Sequence, residues 1–528
     1  MDARKLSRMA TSTMRGTSIL GNATSRRRSK QSSGRGRRSY GNSAPVTFRK
    51  CRPVNAVAID LGAESCRVSV GSWHSGKLHA HIVHRFRNYP SGNDGHLYWH
   101  LNRLRCGVAR GLALCSREVD GAISSIAIDG WAVDYVRLGQ DLCPLGDPFC
   151  YRDLRTEQSQ ELVWSRISPE RIYARTGIQH LRFNTLYQLY ADRTASLPCH
   201  LILNIPEYLL HSLGGRPVSE FTNATHTQMV DAHARCWSDE ILEAVGISRS
   251  CLPEIVPPGT ELGNLGEDVA KPREIAGAKL IAPACHDTGS AVAGIPFEGN
   301  DWAFISSGTW SIVGTILPAP CITEASRNRN FSNEGGLEGQ IRFLKNVNGM
   351  WLLQECIRQW SKQGFDWEIS KLIEESQRLD PPKNLLPVDD PGLLVPGNMP
   401  RRINDVLAGQ GSDPISIDPR DAPAVANLLF HSLAARYTEV LQMLSAVTNK
   451  TLRRVYIVGG GSKNLYLNAL IAERSGLEVI RGPIESATAG NLAVQFAALE
   501  GSADHRKGVS AAAVQTWSQK LFQEVPTI

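Results

Sequence analysis

Residues 54–70, VNAVAIDLGAESCRVSV, decide how the rest of the chain is read. An apolar run stops at Asp60, Gly62 supplies a tight turn among small residues, and the run from Ser65 alternates polar with apolar side chains. Apolar segments broken by glycine, with polar residues at the tip, are hairpin signals. The outline recurs twice. SSIAIDGWAVDYVRL (124–138) ends its apolar run at Asp129, and DWAFISSGTWSIVGTIL (301–317) carries Ser-Ser-Gly-Thr at its turn. All three read as hairpins, and the first and third each open a domain. The expectation is a duplicated α/β architecture with two related halves.

The bounds agree with such a fold. At 528 residues there is room for two or three domains and a cleft between them. Hydrophobic residues make up 42% and charged residues 21%, as in an ordinary globular protein. No apolar run approaches the roughly 18 residues of a membrane span. The net charge of +7 is uneven: residues 1–50 hold 13 Lys or Arg against Asp2 alone, leaving 45 basic and 50 acidic residues beyond. The body therefore gives no reason to expect nucleic acid as a partner. The tail, rich in Ser, Arg and Gly, is expected to be disordered. An organellar transit peptide, an RNA-binding arm and an extension from an upstream start codon all have this composition. Twelve cysteines without a C-x-x-C pair indicate neither a zinc site nor a disulfide framework, and suit a reducing compartment such as the cytoplasm. Oligomeric state has no signature here.

Helical periodicity marks 182–195 and 205–213, and a long amphipathic helix is expected over 422–448. The Gly- and Pro-rich stretch 251–266 reads as a loop. RRVYIVGGGSKN (453–464) reads as a strand running into a glycine turn, followed by a helix and the strand 477–482. The end of the chain reads as a helix with no chemistry in it.

Four places could carry chemistry. In the first turn, backbone N–H groups can converge on an anion, Arg67 can add positive charge, and Asp60 can hold Mg²⁺ through water. A plain hairpin corner is the other reading. SSGTW (306–310) offers a matching cradle with the Thr309 hydroxyl, although Ser-Gly turns are common. GGGSKN (459–464) presents bare backbone before a helix; packing of adenosine there fits better than a dinucleotide turn, whose third glycine is Asn464 here. HDTGSAVAG (286–294) puts Asp287 among alanines and glycines, as a general base for phosphoryl transfer, as the N-cap of a helix, or as both. His286 reads as a hydrogen-bonded structural residue.

Together these motifs resemble the FGGY carbohydrate kinases over roughly residues 54–500. The likeness also rests on WAVDYV, YRDLRT (151–156), TGIQHLRFNTLYQL (176–189), FTNATHTQMV (221–230), NEGGLEGQIRFLKNVNGMWLLQ (333–354), VPGNMPRRI (395–403) and GPIESATAGN (482–491). The resemblance implies two actin-like ATPase (ribonuclease H-like) domains around a catalytic cleft. The first would span 51–296 with the sugar, phosphate loop and base. The second would span 297–505 with the nucleotide, between the tail 1–50 and a terminal helix 506–528. It implies Asp287 as proton acceptor, with Ala132, His286, Thr288 and Asn346 lining the sugar. Ala63, Glu64, Ser65, Cys66 and Arg67 would face the ATP phosphates, and Thr309, Gln354 and Gly460 the nucleotide. Asp60 and Asp287 would serve the metal. The implied reaction is Mg²⁺-assisted transfer from ATP to L-rhamnulose, giving L-rhamnulose 1-phosphate. Two positions depart from the family pattern. Cys66 stands where the phosphate loop has glycine, and Ala132 adds a methyl where bare backbone meets the sugar. A kinase for L-fuculose, D-xylulose or glycerol, and a non-catalytic sugar or nucleotide sensor, remain the alternatives.

Overall fold

The computed structural model describes residues 53–269, 272–394, 397–501 and 508–524. The basic segment 1–50, with the disorder expected of it, lies outside the described residues. Six strands form the first sheet: β1 (Val54–Leu61), β2 (Ser65–His74), β3 (Lys77–Arg87), β4 (Ile123–Gly130), β5 (Thr260–Asn264) and β6 (Lys279–Ala282), in the order β5-β6-β4-β1-β2-β3. β1 and β2 make the expected hairpin, with Asp60 opposite Arg67. Strand alternation sorts the faces. Val57, Ile59, Val68 and Val70 bury on the side of helix α1 (Leu101–Glu118), while the other face of β1 carries the small Ala56 and Ala58.

The helix α2 (Asp287–Ala293) leaves this sheet for a second one. That sheet contains β7 (Trp302–Ser307), β8 (Trp310–Leu317), β9 (Ser332–Gly335), β10 (Ile341–Asn348), β11 (Arg454–Val458) and β12 (Glu478–Arg481), in the order β9-β10-β8-β7-β11-β12. The plan repeats: a hairpin, β7–β8, is extended by parallel strands along the free edge of β7. Its outer face is covered by α3 (Trp351–Ser361) and α4 (Ala422–Thr448), whose Leu429, Leu433, Tyr437, Leu441 and Leu444 are buried at helical spacing. The last three helices among the described residues are α5 (Leu465–Ser475), α6 (Ser486–Glu500) and α7 (Ala511–Glu524).

Between the sheets two helices exchange sides. α2 packs Ala291 and Val292 among Trp302, Phe304 and Ile312 of the second sheet. α6, which follows β12, packs Leu492, Ala493 and Phe496 against Ala56 and Ala58 of the first. The two helices touch so closely that a Cβ on Gly490 would lie 1.7 Å from the Ser290 carbonyl oxygen. α7 closes over this region, with Trp517 stacked on Phe496 and edge-on to Trp73. No helix among the described residues is long and apolar enough to cross a membrane.

Two expected elements differ. Segment 124–138 is not a hairpin: both edges of β4 are taken by β1 and β6, and Tyr135–Leu138 pairs with Leu201–Asn204 instead. Segment 251–266 is not all loop. Gly259, at φ +85°, turns the chain into β5, which pairs along β6.

Candidate active site

The turn joining β1 to β2 lies at one edge of a cleft of about 980 Å³ that runs between the two halves. Glycine is required at its start, because a Cβ on Gly62 would meet the Ser65 carbonyl oxygen at 2.5 Å. Asn88 steadies the loop by donating from Nδ2 to the Gly62 carbonyl at 3.2 Å. Arg67 is gripped between two carboxylates, Asp60 Oδ2 at 3.0 Å and Glu485 Oε2 at 2.8 Å. Glu64 points across the cleft to Arg358 Nη2 at 2.9 Å.

β1 and β4 align Asp60 beside Asp129, and a bridge between Gly130 and His286 brings Asp287 to the same end of the sheet. Burial pushes the Asp60 carboxyl up to about 6, against the pull of Arg67 and with the repulsion of Asp287 and Glu485. Burial also raises Asp129 well above the carboxylate range, with Asp60 adding to it. Asn491 of α6 donates to Asp129 Oδ2 at 2.6 Å, while Oδ1 is buried without a partner among the described residues.

Asp287 forms the floor. It is the first residue of α2, preceded by His286 at the N-cap, so the N-cap expectation is off by one residue. Its Oδ1 accepts from Thr288 N at 2.5 Å and Thr288 Oγ1 at 3.2 Å, with His286 Nε2 3.4 Å away. His286 is buried and anchored, donating its backbone N–H to Thr222 Oγ1 at 3.1 Å. Beneath it lie Glu334 and Arg342 of the second sheet and His226 of the first half.

One wall is aromatic: Trp131, Tyr151, Phe183 and Trp310 line it. Ala132 lies on this wall in a turn held from behind by Asp134, whose buried carboxylate accepts from Trp99 Nε1, Trp131 Nε1, Tyr151 N and Gln188 Nε2. Asn346 also lines the cleft, aimed by the Gln179 amide oxygen 3.1 Å from its Nδ2.

The far end belongs to the second half. The turn at Gly308 and Thr309 receives N–H groups from Met350 and Trp351, tying it to the start of α3. On α3, Gln354 lines the cleft with its Oε1 buried and unpartnered among the described residues. Gly459 takes φ +80°, and a Cβ on Gly461 would strike Ser307 Oγ at 2.0 Å, whereas Gly460 faces open space. Exposed Ile369, Leu465 and Ile484 surround that opening, an apolar seat beside bare backbone.

Two family models cover nearly all of this framework. The N-terminal domain of the FGGY family of carbohydrate kinases matches residues 55–294, and its C-terminal domain matches residues 303–499. The chain belongs to the FGGY family of carbohydrate kinases.

Among relatives of this FGGY kinase is a rhamnulokinase of Bacteroides thetaiotaomicron, 38% identical over 84% of this chain and 90% of that one. A rhamnulokinase of Bacillus subtilis is 36% identical over 84% and 90%. The fold is shared with a xylulose kinase from Lactobacillus acidophilus, at a TM-score of 0.70 and 16% identity over 89% and 96% of the two chains. It is shared too with Plasmodium falciparum glycerol kinase, at 0.66 and 13% over 88% and 92%.

Of the site residues expected in this FGGY kinase, the cleft gathers Asp60, Ala63, Glu64, Ser65, Arg67, Ala132, His286, Asp287, Thr288, Thr309, Asn346, Gln354 and Gly460. Cys66 is the exception. Its side chain is fully buried in the core of the first sheet, Sγ 3.7 Å from the Gly62 carbonyl, so the thiol does not crowd the loop's open side. Residues outside that expectation are Asp129, Asp134, Gln179, His226, Glu334, Arg342 and the aromatic wall. W-A-V-D and N-E-G-G were visible as motifs, but Asp134 and Glu334 also depend on partners as far away in sequence as Gln188 and His226.

Proposed function

We propose that this FGGY kinase transfers the terminal phosphoryl group of ATP to the 1-hydroxyl of L-rhamnulose, giving ADP and L-rhamnulose 1-phosphate. The observation that carries the reading is Asp287. Its contacts fall on Oδ1, its carboxylate opens onto the cleft floor, and turns from both halves line the same cleft. Phosphoryl transfer asks the protein chiefly for position and charge, with one carboxylate to orient and deprotonate the attacking hydroxyl. Oδ2 serves that hydroxyl, the aromatic wall and Asn346 orient the sugar, and the turns at Gly62 and Gly308 receive the phosphates. The likeness to rhamnulokinases over 84% of this chain supports L-rhamnulose over other ketoses.

The clustered Asp60, Asp129 and Asp287, with an Asp129 oxygen unpartnered among the described residues, form a hard-oxygen donor set that suits Mg²⁺. Asp60 and Asp287 would hold the ion, which supplies charge neutralisation for the phosphates when bound. The same reading sets the reaction in the cytoplasm, where the eleven free cysteines among the described residues stay reduced.

The test is ADP release across a panel of ketoses and polyols, with Asp287→Asn as control. L-Rhamnulose should give the highest kcat/KM. Asp287→Asn should lose about 10²- to 10⁴-fold in kcat while ATP affinity is kept. A variant with near-normal turnover, or a panel led by another substrate, would defeat the assignment.

A further inference from the structure

Beneath the base, His226, His286 and Glu334 bring three potential ligand atoms within 4.8 Å of one another, all buried. The cation such a trio attracts is already part of the chain. Arg342 Nη2 lies 3.1 Å from Glu334 Oε2 and 3.2 Å from His286 Nδ1, and Arg342 Nε donates to the Gly335 carbonyl at 2.8 Å. Glu334 and Arg342 sit directly opposite each other on β9 and β10, so the pair is set by strand register. Burial pushes Glu334 up, but His226 and Arg342 outweigh it and hold its carboxyl at about 2, a full counter-charge for the guanidinium.

A guanidinium has donors only. The Nδ1 lone pair of His286 must therefore accept from it, which leaves the ring proton on Nε2. The rival tautomer, with Nδ1–H donating to Glu334 Oε2 at 3.4 Å, would set two hydrogens against each other across the 3.2 Å to Arg342. In the favoured tautomer the proton sits on Nε2, the nitrogen 3.4 Å from Asp287 Oδ1.

We infer that Arg342 is a positioning residue: it fixes His286 as the Nε2–H tautomer, and His286 in turn holds Asp287 Oδ1 and leaves Oδ2 for the sugar hydroxyl. Arg342 and Glu334 belong to the second sheet, whereas His286, His226 and Asp287 belong to the first half. The base is thus oriented by the half that does not carry it. This rests on Asp287 being the base.

The test uses the full chain labelled with ¹⁵N-histidine, the His286 signals being assigned by their loss in His286→Gln. In the wild type the ring proton should be found on Nε2. In Glu334→Gln/Arg342→Met, which removes both buried charges together, that preference should be lost. Its kcat should fall roughly 10- to 100-fold, with KM for ATP changed less than about twofold. A wild-type ring protonated on Nδ1 overturns the inference, whether or not the double variant folds. So does a folded double variant with wild-type kcat. Wild-type inactivity on every sugar would instead sink the proposed reaction, a result the histidine spectrum does not depend on.

Discussion

Val133 sits at φ +69°, in the left-handed region where a β-branched side chain is crowded. The turn persists because Asp134 anchors it with four accepted bonds, and because Thr185 Oγ1 and Gln188 Nε2 donate to the Val133 carbonyl. Burial raises the Asp134 carboxyl to about 6 even so, with Gln188 and the two indoles pulling it down. Replacing one carboxylate oxygen by an NH₂ sets donor against donor inside the core. Asp134→Asn should cost about 3 kcal/mol in urea unfolding and raise KM for the ketose through the displaced Ala132. A loss below about 1 kcal/mol would show that the turn holds without this anchor. The string W-A-V-D could be read as a sugar contact, but not Asp134 as its anchor. The partners of that carboxylate stand up to 54 residues away in sequence, and no local pattern announces them.

At the scale of elements, the crossing of α2 and α6 decides how firmly the base is seated. With its Cβ aimed at a backbone oxygen, Gly490→Ala forces the two helices apart. Overpacking of this kind costs about 1–3 kcal/mol. Because Asp287 heads α2, kcat should fall along with the unfolding midpoint; a fall in stability alone would show that the helix shifts without moving the carboxylate. The helix Ile205–Ser212 carries a different strain. Burial first, then repulsion from Glu220, lifts Glu207 from its ordinary 4.5 up to about 8. Its folded pKa lies above the unfolded one, so folding takes up a proton between those values and this stabilisation is lost as pH rises through them. Glu207→Gln has no proton to release there. Urea midpoints at pH 5 and pH 8 should show the variant gaining on the wild type at the higher pH, and an equal difference at both would contradict the shift. The hairpins 54–70 and 301–317 and the helix 422–448 were legible because each is a local pattern with its own turn or period. Segment 124–138 was misread because alternation says which residues face inward, not which strand lies alongside.

At the scale of the whole molecule, ion pairs tie the cleft edges from both sides, Glu64 to Arg358 and Glu485 to Arg67 and Arg85. Being partly exposed they contribute at most about 1 kcal/mol each. The deeper tie is covalent order. The Ala56 and Ala58 face of the first sheet is covered by α6 and α7, which follow it by more than 400 residues. On the ribosome, that face therefore waits uncovered while some 400 further residues are made. Nascent chains stalled at residue 300 should be digested by protease and held by chaperones, and protection of β1 should appear only once α7 has left the exit tunnel. Protection already present at residue 300 would mean that the first half folds without its borrowed helices. Proteins built this way are vulnerable to loss of a late segment out of proportion to the residues removed, since without α6 and α7 the face of β1 is uncovered.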